Sequence, residues 1–209
     1  PEGDVHVKEQ SLAKFIEVNL NLLPCFSSIV FKPNDVGLKK DELNTWAGFR
    51  ACLVDKVNME LVQPWLDHIR DVWADGNEQD YNYIMTWLKH IMIHPERQSG
   101  IALVLKGEQG AGKTLPAEFL ADHVFGRALS ETTTGLDAIT SRFNACIMNK
   151  IFINPNELTT TSESYHSAFD KMKAFITDKT VQIEQKGIDQ FTINNCANFL
   201  CTTNHDWTV

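Results

Sequence analysis

The segment "IALVLKGEQGAGKT", residues 101–114, sets an apolar run against a glycine-rich loop that ends in lysine and threonine. No other stretch of the chain restricts its fold as strongly. The run lies between Gly100 and Gly107 and reads as a short buried strand. Gly107, Glu108, Gln109, Gly110, Ala111, Gly112, Lys113 and Thr114 then satisfy GxxxxGK[ST] throughout. Glycines let such a loop curl until successive N–H groups face one centre, where phosphate oxygens can sit. A helix starting near Lys113 adds its partial positive end. In that setting Lys113 reaches the β- and γ-phosphates and the Thr114 hydroxyl ligates Mg²⁺, so the expected ligands are ATP and Mg²⁺. A chance glycine turn is the bland alternative, and a strand before the loop with a helix after it argues against that.

Hydrolysis needs more than the loop. A carboxylate at the end of a neighbouring strand must orient water and help hold the metal. Glu157, after "IFINPN", is the candidate, with Asn156 in the place where a first acid is usual. An Asn carbonyl can still accept a bond from metal-bound water but brings no charge. Asn204, at the end of "NFLCTTN", is placed to sense the γ-phosphate or orient the attacking water.

Around these sites the pattern alternates. Pro64 is expected to open a helix with Trp65, Leu66, Ile69, Val72 and Trp73 on one face, closed by Gly76. A second helix is expected from about Gln79 to His94, ended by Pro95. After the loop, a helix is expected with Leu115, Phe119, Leu120 and Val124 inward. "KIFINPNEL" and "NFLCTTN" read as further strands, "ESYHSAFDKMKAFI" as a helix, and "TVQIEQKGIDQFTI" as a hairpin turning at Lys186-Gly187. Strands alternating with helices predict an α/β sheet domain over 99–209, preceded by a small helical domain over 46–98. Residues 1–45 form a poorly defined N-terminal segment.

Composition narrows the partners. No apolar run approaches the ~18 residues of a membrane span. The five cysteines form no CxxC pair, and their odd number points to reduced thiols and an intracellular setting. Net charge is −8, the wrong sign for coating DNA by bulk electrostatics, so nucleic-acid contact must be local. Lys171, Lys173, Lys179 and Lys186 outnumber Asp178 and Glu184, which makes 171–186 a local basic stretch. His90 and His94 sit four apart, but Ile91 stands where HExxH has its Glu, and the pair reads as ordinary helix histidines. Trp65, Trp73 and Trp87 read as core residues of the helical part.

Beyond these readings, "NTWAGF", "WLDHIRDVW", "YNYIMTWLKHIMIHPERQSGIALVLKGEQGAGKT", "SRFNACIMNKIFINPNEL", "MKAFITDKTVQIEQKG" and "NFLCTTN" occur in an order and spacing that resemble a known family. It is the superfamily 3 (AAA+-like) helicase domain of viral and phage primase–helicases, including the poxvirus type, and the likeness covers about residues 40–205. The resemblance implies a P-loop NTPase fold with a three-layer sheet domain, ATP bound between subunits of a homo-hexameric ring, and movement along single-stranded DNA. It also implies that a primase domain can precede this segment. It assigns the phosphate loop to Gly107 through Thr114, the acidic motif to Asn156 and Glu157, and the sensor to Asn204. Lys179 and Lys186, on the hairpin, would contact DNA in the channel. The family's arginine finger falls after Val209, so slow hydrolysis is expected of these 209 residues. A small P-loop kinase or transferase, or a non-catalytic nucleotide-gated loader module, are the alternatives.

Overall fold

The structure is a computed structural model and describes residues 11–20, 24–156 and 164–204. The chain divides into two units, Pro1–Trp46 and Ala47–Val209. In the first, α1 (Leu12–Val18) starts where the Ser11 side chain accepts the Lys14 N–H, and every residue of the helix is exposed or nearly so. β1 (Ser28–Val30) pairs in parallel with β2 (Glu42–Asn44), and Lys32 Nζ bonds both Gly37 O and the Glu42 carboxylate beside them.

The second unit begins with two helices. α2 (Met59–His68) continues into a π-helical turn, Ile69–Trp73, and α3 spans Glu78–Ile93. Pro64 lies inside α2 rather than opening it, because Asn58 caps the helix earlier, its side chain accepting the Glu60 N–H. Asn77 does the same for α3, accepting from Gln79 and Asp80. Arg70 locks the corner between them, bonding Glu78 and Asp67 and stacking 4.3 Å from the Tyr81 ring centroid.

A parallel four-stranded sheet follows: β3 (Ala102–Lys106), β4 (Ser130–Thr134), β5 (Phe152–Asn156) and β8 (Asn198–Thr203), in the order β3-β8-β5-β4. The register puts Leu103, Leu105, Leu200, Phe152 and Asn154 on one face. There the Phe152 ring meets Trp87 of α3 at 6.5 Å and Phe125 at 5.2 Å. The helical segment therefore packs straight onto the sheet.

Ile153, Phe199 and Cys201 point to the other face and share a core with α5 (Asp137–Thr140), α6 (Ser164–Thr177) and the root of a hairpin. That hairpin is β6 (Thr180–Gln185) antiparallel to β7 (Ile188–Asn194), turning at Lys186-Gly187 with Gly187 at φ 81°. The architecture is thus mixed α/β, with helices on both faces of a parallel sheet. Each fully buried aromatic ring in it contributes about 1.5–3 kcal/mol.

α4 (Thr114–Phe119) leaves the glycine loop and runs into a second π-helical turn, Leu120–Phe125. Its inward residues are Ala117, Leu120, Ala121 and Phe125; Leu115 is 63% and Phe119 45% exposed. Within α4 the buried face runs through Pro116 and Ala117 rather than the expected Leu115 and Phe119, and past it the wider turn carries the buried position from Leu120 to Phe125, five residues on, in place of the expected Val124.

Candidate functional site

The glycine loop joins β3 to α4 and is stitched to the sheet at its start, where the Gly107 N–H donates to Thr203 O at 3.2 Å. Gly110 and Gly112 both hold positive φ, 82° and 83°, which lets the chain curl on itself. Lys113 is almost fully buried. Its ammonium donates to Gly107 O at 2.8 Å, Glu108 O at 2.6 Å and Asn204 Oδ1 at 3.1 Å. The lysine thus ties the loop to the end of β8.

A cleft of about 450 Å³ opens over these atoms. Its wall includes Gln109 through Leu115 from the loop, Asn156 from β5, and Thr202, Thr203 and Asn204 from β8. The cleft exists because β5 and β8 stop pairing early. Their register holds only at Phe152↔Asn198 and Ile153↔Phe199. Pro155, two residues further along β5, has no N–H to offer a neighbour. Beyond that point one side-chain bond spans the gap, from Thr202 Oγ1 to Asn156 Oδ1 at 3.1 Å. A crevice at the carboxyl ends of parallel strands is where open α/β sheets bind ligands.

Of the residues singled out in the sequence, the structure brings Gln109–Thr114, Asn156 and Asn204 to one cleft, while Gly107 and Glu108 hold Lys113 through their carbonyls. Glu157 lies outside the described residues. Lys179 and Lys186 are exposed and stand apart, one before β6 and the other at the hairpin tip, separated by the strand's length of about 20 Å. Neither lines the cleft.

Three residues that the sequence does not assign to the site, Trp73 reading there as a core residue, belong to the same region. His68 Nε2 lies 2.9 Å from Gly112 O, and Trp73 Nε1 donates to Lys113 O at 2.9 Å. Asn154 is fully buried in β5, on the face it shares with Asn156, and neither atom of its amide has a hydrogen-bond partner. Residues five apart do not share a face of an α-helix, so nothing in the sequence signals that His68 and Trp73 act together. Asn154 was readable as a polar residue inside an apolar run.

Other reactive groups do not line the cleft. Burial pushes the Cys201 thiol up to about 12; burial and then Glu96 push Cys196 to about 11. Neither is poised as a nucleophile. Burial, followed by the neighbouring His94 and Arg97 charges, lowers the His90 pKa. Among the described residues no group of three His, Cys, Asp or Glu side chains could hold a metal, and no helix is long and apolar enough to cross a membrane.

Comparison with known proteins agrees with this architecture. Over 131 residues the chain is 29% identical to the DNA primase-polymerase of Nitratiruptor phage NrS-1, a match covering 62% of this chain and 18% of that protein. The chain therefore spans less than a fifth of that relative's length. The apo structure of the NrS-1 C-terminal region (305–718) superposes with a TM-score of 0.68 at 21% identity, covering 84% of this chain and 42% of the other. A second apo form of that region matches with a TM-score of 0.64 over 78% of this chain and 38% of the other. At such identity the likeness speaks for the fold alone. Residues 105–209, from the end of β3 onward, match one family model, and the chain belongs to that family, a family of unknown function (DUF5906).

Proposed function

We propose that this chain is the ATP-binding motor domain of a phage or viral replication protein, a P-loop NTPase of the superfamily 3 helicase type. One observation carries the reading. The glycine loop, Lys113, Asn156 and Asn204 come from three separate strand ends and converge on one cleft, with Lys113 touching Asn204 directly. The likeness to a phage DNA primase-polymerase supports a role in replication.

In this reading the loop amides and Lys113 grip the triphosphate, and Lys113 exchanges its present carbonyl partners for phosphate oxygens. Asn204 holds Lys113 and faces the γ-phosphate. Glu157, one peptide beyond Asn156, orients the attacking water. Mg²⁺ suits the donors present, since the Thr114 hydroxyl and the Asn156 carbonyl are hard oxygen ligands lining the same cleft. Bound with the nucleotide, it would neutralise charge on the phosphates. Neither donor is charged, so the phosphates themselves must supply much of its ligation.

The hairpin supplies the surface for single-stranded DNA. It presents Lys186 at its tip and exposes Ile188 and Phe191 along β7, a cation beside apolar and aromatic surface. The working assembly is a homo-hexameric ring.

The test is ATP turnover with and without single-stranded DNA, in wild type and Lys113→Ala. Stimulation by DNA that is lost in the variant supports the motor. Binding without turnover favours a nucleotide-gated loader module instead, a reading that the uncharged Asn156 favours. Turnover that ignores DNA and depends on a small-molecule acceptor points to a kinase.

A further inference from the structure

The helix before the sheet reaches the glycine loop at two consecutive carbonyls. His68 Nε2 meets Gly112 O at 2.9 Å, and because a carbonyl only accepts, that nitrogen carries the hydrogen. Trp73 Nε1 donates to the next carbonyl, Lys113 O, at 2.9 Å. In an unbroken α-helix, residues five apart lie about 140° apart around the axis and could not both face one short loop. The π-helical turn changes that. It is closed by the Ala74 N–H on Ile69 O at 3.0 Å, and it brings His68 and Trp73 to the same side.

The consequence lies in peptide geometry. A trans peptide is planar, and its C=O and N–H point in opposite directions. Drawing Gly112 O toward His68 turns the Lys113 N–H away from His68. Drawing Lys113 O toward Trp73 turns the Thr114 N–H away from Trp73. Gly112, Lys113 and Thr114 all line the cleft. We propose that His68 and Trp73 are positioning residues that aim the Lys113 and Thr114 amides at the phosphates of a bound nucleotide; this rests on the nucleotide reading given above. The fit at Gly112 points the same way. A Cβ there would come within 2.9 Å of His68 Cε1 and 3.2 Å of Nε2, so the imidazole occupies the space a side chain would need.

The proposal makes the helical segment part of the phosphate site although neither residue touches phosphate. A purely structural role for Trp73, filling space in the core, needs its ring but not its N–H. Trp73→Phe separates the two functions, and His68→Ala is an independent check at a half-buried position. His68→Gln keeps a donor at nearly the same reach.

ATP and tripolyphosphate are titrated into wild type and each variant while amide ¹H–¹⁵N signals are followed. Wild type binds both ligands, with the Lys113 and Thr114 amide signals moving downfield. His68→Ala and Trp73→Phe bind each ligand about five- to tenfold more weakly, the scale of one neutral hydrogen bond. In both, the downfield movement shrinks. His68→Gln recovers most of the affinity. Wild-type affinity and unchanged amide movements in His68→Ala overturn the clamp while leaving the nucleotide site standing, whatever Trp73→Phe does to folding. Failure of the wild type to bind either ligand overturns the nucleotide reading and the clamp with it.

Discussion

Replacing Gly112 with alanine separates two costs that the loop geometry combines. The first is conformational: Gly112 sits at φ 83°, a region where an L-residue pays about 1–2 kcal/mol. The second is local to His68, whose Cε1 would lie 2.9 Å from the new Cβ. The imidazole is the far end of a side chain and can swing aside, but doing so breaks its bond to Gly112 O, a net loss of about 0.5–1.5 kcal/mol. Gly112→Ala should therefore destabilise the chain by about 1.5–3.5 kcal/mol, the sum of these two effects. In a His68→Ala background the ring is gone and the first cost alone remains. Urea unfolding of the wild type, both single variants and the double variant closes the cycle, with an expected coupling of about 1 kcal/mol. Strict additivity would show that His68 does not press on the loop, and a Gly112→Ala protein as stable as wild type would refute the loop conformation itself.

Other outcomes follow from the same structure. Asn154→Leu should stabilise the fold by about 1–3 kcal/mol in urea unfolding, because it removes a fully buried amide with no partner; a loss of stability would mean that the amide is satisfied. Asn156→Asp should lower the Mg²⁺ concentration at which ATP binding saturates, since it adds a charged ligand to a neutral donor set; an unchanged Mg²⁺ titration contradicts Asn156 as a metal-side residue. The buried cysteines set a pH limit. With Cys196 raised to about 11 and Cys201 to about 12 from an ordinary 9.0, the unfolded chain releases these protons first. Their contribution to stability is therefore complete below pH 9 and falls as pH rises, toward 11 for Cys196 and toward 12 for Cys201, by about 1.4 kcal/mol per pH unit for each thiol within its own window. At pH 8 a thiol reagent should label the exposed Cys25 and Cys52 well before Cys201; equal rates would refute the burial.

What could be read from sequence divides by range. The glycine loop is local chemistry, and its strand-before, helix-after setting is present in β3 and α4. The hairpin at Lys186-Gly187 is local too, since a glycine at positive φ is what the turn requires. The pairing order β3-β8-β5-β4 is not local: β3 lies beside a strand almost a hundred residues later, and no periodicity records that partner. Helix faces were legible only in part: Leu115 and Phe119 of α4 face outward, the π-helical turn after α4 buries Phe125 in place of Val124, and the one after α2 places His68 and Trp73 together against the loop. Trp73 was readable as a core residue, and its indole N–H on Lys113 O was not, because that partner is set by the tertiary fold.

The central claim is that the curled backbone at 107–114 and the ammonium of Lys113 bind a triphosphate. Calorimetric titration of ATP into wild type and Lys113→Ala, with urea unfolding of both to confirm the fold, tests it most directly. The account predicts saturable one-site binding by the wild type and none measurable in the folded variant. Equal heats and equal affinity in the two proteins, or no binding by the wild type with Mg²⁺ present, would contradict it.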